Sequence, residues 1–357
     1  MELPIRIVDG PLAERVVSVD GAWPQPGLNL SHWPGNTTPA ELRHDLSTGS
    51  ALAFARLPAA RRAELAQGCV AIANNHYDTD GVCAIFAVRH PDAALAREQA
   101  LLDAAAAGDL FRFPNERAFA IDAIVGHAAD PARSPWGAAL RPLSGSARHE
   151  RAVHELVRVL PELLDGALAP YAALWEPELA ACRADQADLA AAQLDDLVHL
   201  DFAIWTAAPG RTSSRTLASG SARSFDPGRH ALFGTTQADR VLAIGPASAP
   251  GRGATYRFAI NTTSWFDLVT RRAQPRPNLA ALAVRLNELE GTAVHDELAW
   301  RAQPVDSPSP ELWFGQRQHP FFAEHCAALA PSRLPPVDVR AEVLDALRAS
   351  WTFPDES

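Results

Sequence analysis

Residues 69–90 read CVAIANNHYDTDGVCAIFAVRH, and the fold turns on how that stretch divides. Its first seven residues, 69–75, form an apolar, partly β-branched run of strand length. Its last nine, 82–90, are apolar on every side, as expected of a wholly buried helix. Between them lie His76, Asp78 and Asp80, followed by Gly81, which permits a tight turn. A buried strand passing directly into a buried helix is the repeating unit of an α/β sheet, and such sheets bind ligands at the carboxyl ends of their strands. In extended chain, alternate residues point to one side, so the three side chains can converge. Imidazole and carboxylates together suit divalent metals, and the oxygen-rich set favours Mn2+ or Mg2+. The helix that follows aims its free N–H groups back at the turn, which favours an anion such as phosphate. A solvated Asp-Gly turn is the bland alternative. An EF-hand is excluded, because no ligand series ending in Glu follows.

Outward from this stretch the pattern stays α/β. RVVSVD (15–20) reads as a short strand, and WPQPGLNLSHWPGNTTP after it is too punctuated for a helix. Thr38 with Glu41 makes a capping pattern ahead of 38–48, and a helix is expected over 59–67. Pro91 opens an Ala-rich helix over 91–108. The segment 118–128 is ambiguous, helices are expected over 148–165 and 176–196, and VHLDFAIWTA (198–207) reads as a strand. A long Ser/Gly/Arg loop follows. HALFGTT, RVLAIGP, TYRFAINTTSW, ELAWRAQP and PELWFG then read as short strands, with helices over PNLAALAVRLNELEG and 338–350. The predicted architecture is a parallel or mixed sheet flanked by helices over 1–208. A smaller α+β part, beginning with the polar loop, fills 209–357. Strands 69–75 and 198–207 should be central, because their apolar runs suit burial on both faces.

Composition narrows the chemistry. Of 357 residues, 32 are basic and 42 acidic, a net charge of −10, which argues against bulk nucleic-acid or anionic-membrane binding. All the basic residues are arginine. With no lysine, a Walker-type phosphate lysine and a Schiff-base lysine are both excluded. Absence of lysine, abundant alanine and 29 prolines resemble the coding bias of a GC-rich bacterial genome. Cys69, Cys83, Cys182 and Cys326 form no CxxC pair and read as free thiols in a reduced compartment. No apolar run reaches membrane-spanning length and no signal peptide opens the chain. A cytoplasmic protein, monomeric or homodimeric, is expected.

Further candidates surround the central motif. His199 and Asp201 alternate on the expected strand 198–207 and are candidate metal ligands. They reach the motif only if that strand runs antiparallel to 69–75 in one sheet. Asn75 can orient water or substrate. His32, in the rigid LSHWPGN loop, can line a pocket. Arg211 and Arg215 can clamp phosphate, though Arg211, Arg215, Arg223 and Arg229 read more readily as solubilising residues of a flexible segment. No G-x-S-x-G, HExxH or G-x-G-x-x-G signature is present.

The strand, the HYDTDG turn and the apolar helix together resemble the first motif of the DHH-superfamily phosphoesterases. The resemblance covers about a dozen residues. It implies that His76, Asp78 and Asp80 ligate a pair of divalent metals, usually Mn2+, and that Asp122 in FAIDAIV stands for the family's single-aspartate second motif. The chain has no Asp-His-His tripeptide and lacks the glycine-rich C-terminal substrate motif. The function expected is a divalent-metal-dependent hydrolase of a phosphoester or phosphoanhydride, with metal-activated water as nucleophile. A small phosphorylated molecule or a short oligonucleotide would be its substrate. The alternatives are a non-catalytic ligand-binding or scaffold protein on a degenerate hydrolase fold, and a metal-dependent hydrolase of another bond such as an amide.

Overall fold

A computed structural model describes residues 2–208, 225–246, 253–316 and 329–351. The protein is α/β, and its chain forms two compact units: Met1–Ala180 with Phe266–Ala273, and Ala181–Trp265 with Gln274–Ser357.

The first unit holds a four-stranded, all-parallel sheet made of β1 (Ile5–Ile7), β2 (Val16–Val19), β3 (Gly27–Leu30) and β4 (Ile72–Asn74), in the order β1-β4-β2-β3. The helices are α1 (Ser47–Arg56), α2 (Ala59–Leu65), α3 (Thr79–Arg89), α4 (Pro91–Leu95), α5 (Glu98–Leu110), α6 (Glu116–Ala128), α7 (Gly137–Leu140), α8 (Gly145–Leu164) and α9 (Ala172–Ala190). As the sequence predicts, β4 is central, with Ile72 in register with both Ile5 and Val17. The first ten residues of α3 are all buried, and α3 packs against α1, α5 and α8. Val82, Ile85 and Phe86 each contribute about 1.5–3 kcal/mol by leaving water. From α8 come Val153, Leu156, Val157, Leu160, Leu163 and Leu164, a stripe at 3- and 4-residue spacing, while Arg151 and Arg158 stay outside.

β1 and β3 escape a periodicity reading, because strands of three and four residues carry too little pattern. The Pro/Gly/Trp stretch has a specific role here. It returns the chain from the end of β2 to the start of β3 so that the two can lie parallel, with Val16 opposite Gly27. Gly27 takes φ +128°, and a Cβ there would lie 2.0 Å from the Val16 carbonyl oxygen. Two expectations are corrected and one ambiguity is resolved. Thr38 does not cap a helix; its hydroxyl accepts from the Ser31 N–H and donates to the Ser31 carbonyl. The 91–108 segment is two helices, broken at Ala96–Arg97. The ambiguous 118–128 segment is helical, capped by the Asn115 side chain.

The second unit holds a mixed six-stranded sheet of β5 (Gln193–Leu197), β6 (Phe202–Thr206), β7 (Arg240–Ile244), β8 (Tyr256–Ile260), β9 (Ala299–Ala302) and β10 (Glu311–Gly315), ordered β5-β6-β7-β8-β10-β9. Helices α10 (Arg229–Gly234), α11 (Leu279–Glu290) and α12 (Pro336–Ser350) complete it. HALFGTT is therefore a helix rather than a strand. The buried Arg257 holds this sheet's polar interior. It donates to Glu311 at 2.6 and 3.0 Å and to Asp226 at 2.9 Å, so buried charge is met by charge. The compact units divide at Ala180/Ala181 instead of at 208, because β5 and β6 join the second sheet. β6 is internal to that sheet, but it shares no sheet with β4. Arg211, Arg215 and Arg223 lie outside the described residues.

Candidate metal centre

Three of the parallel strands deliver the site at their carboxyl ends. Asp20 follows β2 directly, His32 lies two residues beyond β3, and His76 and Asp78 lie in the turn from β4 to α3. Asp78 is the N-cap of α3, its Oδ1 accepting from the Gly81 N–H at 2.9 Å, and Asp80 stands in the first turn. Gly81 is required by close approach. A Cβ there would lie 2.2 Å from Asn74 Nδ2 and 3.0 Å from Asp20 Oδ2. Asp109 arrives from the last turn of α5.

These side chains form two groups whose ligand atoms lie within 4.8 Å of one another: Asp20, His32, Asp80 and Asp109; and Asp20, His76 and Asp78. Asp20 belongs to both. His32 Nε2 faces Asp109 Oδ2 at 3.0 Å, Asp20 Oδ1 at 3.6 Å and Asp80 Oδ2 at 3.7 Å, and the His32 side chain is wholly buried. His76 Nε2 lies 2.8 Å from Asp20 Oδ2 and 2.8 Å from Asp78 Oδ2, with both His76 and Asp78 partly exposed. One group is therefore enclosed, and the other opens to solvent. Asp20 is held at φ +61°, a left-handed conformation that costs a residue with a Cβ about 1–2 kcal/mol.

The two histidines are prepared alike. The His32 Nδ1 lies 2.5 Å from the Asp45 carbonyl, which can only accept, so the proton is on Nδ1. Its Nε2 then points into three carboxyl groups. His76 Nδ1 lies 2.9 Å from Asn75 Oδ1, which places its Nε2 between two carboxylates in the same way. Without metal a proton between ring and carboxyl satisfies these contacts, and a cation would take that proton's place. A ring whose other N–H is committed to an oxygen acceptor is how metal-ligating histidine is normally held.

The electrostatics point the same way. Burial, reinforced by Asp78, pushes the Asp20 carboxyl up to about 7. Burial, then Asp78, Asp20 and Asp80, pushes Asp109 well up. Burial opposes ionisation of Asp78, but the facing His76 imidazolium outweighs it and holds Asp78 low. His76 is raised despite burial, by Asp78 and Asp20. Four carboxylates thus share a desolvated space with two imidazoles. Asp80 also serves the fold: its oxygens accept from the Ser47 and Thr48 N–H groups at the start of α1, each at 2.7 Å. Ser47 Oγ donates to Asp20 Oδ1 at 3.0 Å. The donor set of carboxylates and imidazoles fits Mn2+, Mg2+ or Zn2+.

The structure sets His76 and Asp78 in one group and Asp80 in the other, where it joins His32, expected only as a pocket residue. Asn75 touches His76. Asp122 belongs to neither group; it accepts from the Thr79 hydroxyl at 2.5 Å and so fastens α6 to the start of α3. His199 and Asp201 are not on a strand: Val198–Leu200 is a 3-10 turn, and Asp201 takes φ +50° and accepts from the Asp239 N–H at 3.1 Å. The condition that would join them to the motif, neighbouring strands in one sheet, is not met. Sequence reasoning missed Asp20 and Asp109. Asp20 has a signal, an Asp-Gly at the end of a buried strand. Asp109 has another, an acid continuing the Leu101–Ala105 step on the buried face of α5. A separate cleft of about 370 Å3, lined in part by Phe86, Arg89, His90 and His154, lies at the other end of α3, and among the described residues no carboxylate lines it. Among the described residues, no helix is long and apolar enough to cross a membrane.

Over residues 10–357 the chain matches a family described as "Family of unknown function (DUF6687)", and it belongs to that family. No curated protein and no solved structure matches it.

Proposed function

For this member of the DUF6687 family we propose a divalent-metal-dependent hydrolase of a phosphoester or phosphoanhydride, working in the cytoplasm on a small phosphorylated molecule or short oligonucleotide. The observation that carries the reading is Asp20, one buried carboxylate common to two ligand groups, one enclosed and one open. A carboxylate so shared suits a pair of cations, and Mn2+ or Mg2+ matches the oxygen-rich donors. Cations held there would lower the pKa of a bound water and polarise a phosphoryl oxygen. The resemblance of HYDTDG to the first DHH-superfamily motif supports the same chemistry.

The chain's residues divide the work. Asp20, His32, Asp80 and Asp109 would hold the enclosed cation, and Asp20, His76 and Asp78 the one nearer solvent, where substrate enters. Asn75 fixes the His76 ring through Nδ1. The Trp33 ring packs against that of His76, with centroids 4.7 Å apart, and walls the open side. With no lysine in the chain, arginine and the cations would have to neutralise the leaving group.

Purified protein should hydrolyse a phosphodiester such as bis(p-nitrophenyl) phosphate, or pyrophosphate, with added Mn2+. Chelator should abolish the activity and Asp78→Asn should lower it at least ~10²-fold. Hydrolysis indifferent to both would refute the proposal. Turnover of an amide but no phosphoester would move the reading to another bond, and Mn2+ binding without any turnover would make the protein a binder.

A further inference from the structure

The segment Phe266–Ala273 belongs to the first compact unit, although it lies far along the chain from the rest of that unit. Several of its contacts gather around His32. The Phe266 ring stacks on the His32 imidazole, with centroids 3.7 Å apart and planes 19° from parallel. The Asp267 N–H donates to the His32 carbonyl at 2.8 Å, and Asn36 Nδ2 donates to Asp267 Oδ2 at 3.2 Å. The Asp45 carboxylate accepts from the Val269 N–H at 2.6 Å, from the Thr270 N–H at 3.0 Å and from the Thr270 hydroxyl. The Asp45 backbone carbonyl is the acceptor for His32 Nδ1. One residue therefore grips the segment with its side chain and the imidazole with its main chain.

We infer that Phe266–Ala273 is a strap that orients His32, with Phe266, Thr270 and Asp45 as positioning residues for the enclosed metal group. The inference deepens the metal reading and rests on it. Stacking fixes the plane of the imidazole, and the Asp45 carbonyl fixes its rotation and tautomer. Together they aim Nε2 at the Asp20, Asp80 and Asp109 carboxylates without any strap residue touching the cation. An outer partner of this kind sets affinity by pre-organisation, and its loss typically costs 10–100-fold in metal binding. Phe266 is buried, whereas Thr270 is exposed, so a change at Thr270 leaves the core intact.

The test is Mn2+ titration of the full-length protein, followed by free-Mn2+ electron paramagnetic resonance, alongside the visible spectrum of the Co2+-loaded form. Thr270→Val removes the hydroxyl that Asp45 holds, Thr270→Ser restores it, and Phe266→Leu removes the ring. The strap predicts a Kd raised ~10–100-fold in Thr270→Val and Phe266→Leu, an altered Co2+ ligand-field band in both, and wild-type behaviour in Thr270→Ser. Metal-free melting of the Thr270 variants should match wild type. Wild-type Kd and Co2+ spectrum in all three variants would overturn the strap and leave the metal reading standing. A wild-type protein that binds neither ion would overturn the metal reading itself.

Discussion

Replacing Asp20 with asparagine tests whether that carboxylate is a metal ligand or a structural ion-pair partner, because the two roles predict opposite signs. The substitution keeps size and shape, and the amide oxygen can still accept from Ser47 Oγ. It removes one negative charge from a space shared with Asp78, Asp80 and Asp109. Like charges about 4 Å apart repel by ~4 kcal/mol at an effective dielectric of 20, and the lost attraction to His76 offsets part of this. A folded-state Asp20 raised from 3.8 to about 7 binds more protons folded than unfolded, so the metal-free fold loses stability as pH rises through that window. At pH 8 the asparagine variant without metal should therefore be more stable, by ~1–2 kcal/mol. At ~2–4 °C per kcal/mol for a unit of this size, Tm rises by about 2–8 °C. With Mn2+ at 100 times Kd, wild type should gain ~2.7 kcal/mol, or about 5–11 °C, for each cation bound, and the variant little of that. Thermal melts at pH 8, with chelator and with Mn2+, read both effects. A variant that melts lower without metal yet keeps the wild-type Mn2+ shift would make Asp20 a structural residue and refute the reasoning.

Gly27→Ala should destabilise by about 2–5 kcal/mol in urea unfolding, from strain at φ +128° and overlap with the Val16 carbonyl; a change under about 0.5 kcal/mol would contradict the tight return from β2 to β3. Gly81→Ala should weaken Mn2+ binding as well as stability, since its Cβ meets Asn74 and crowds Asp20, and unaltered metal affinity would count against close approach at the site. On the acid side, the His127 hydrogen bond, with Arg133 adding to it, holds Glu178 at about 2 against the ordinary 4.5. A lowered carboxylate gives stability that is present above 4.5 and lost as pH falls towards 2. Glu178→Gln should flatten the fall in Tm over that window, by a modest amount because the side chain is 39% exposed. An unchanged acid limb would rule the contact out as a contributor.

The α/β class, a central strand within 69–75 and the buried helix after it were legible because the apolar run around the strand, which itself spans only Ile72–Asn74, is longer than the strand and leads straight into the apolar helix. So was the pairing of His76 with Asp78, which depends only on their adjacency, whereas Asp80 falls in the group around His32. What joins them was not legible, because Asp20, His32 and Asp109 come from three other places in the chain and meet only once the parallel sheet and α5 are packed. His199 and Asp201 show the converse error. Their alternate spacing places them on one face only if the chain is extended, and the left-handed turn at Asp201 removes that condition. The sequence draws its boundary at 208 because the polar composition after it draws attention. The division falls inside α9, whose helical pattern gives no sign of it.

The central claim is that Asp20 lies between two cations. Crystals grown with Mn2+ and measured at the manganese absorption edge test it most directly. Two anomalous peaks are predicted, about 3.5–4 Å apart and flanking the Asp20 carboxylate, one toward His32 and Asp109 and one toward His76 and Asp78. A map from Mn2+-saturated crystals with no peak within bonding distance of Asp20 would contradict it.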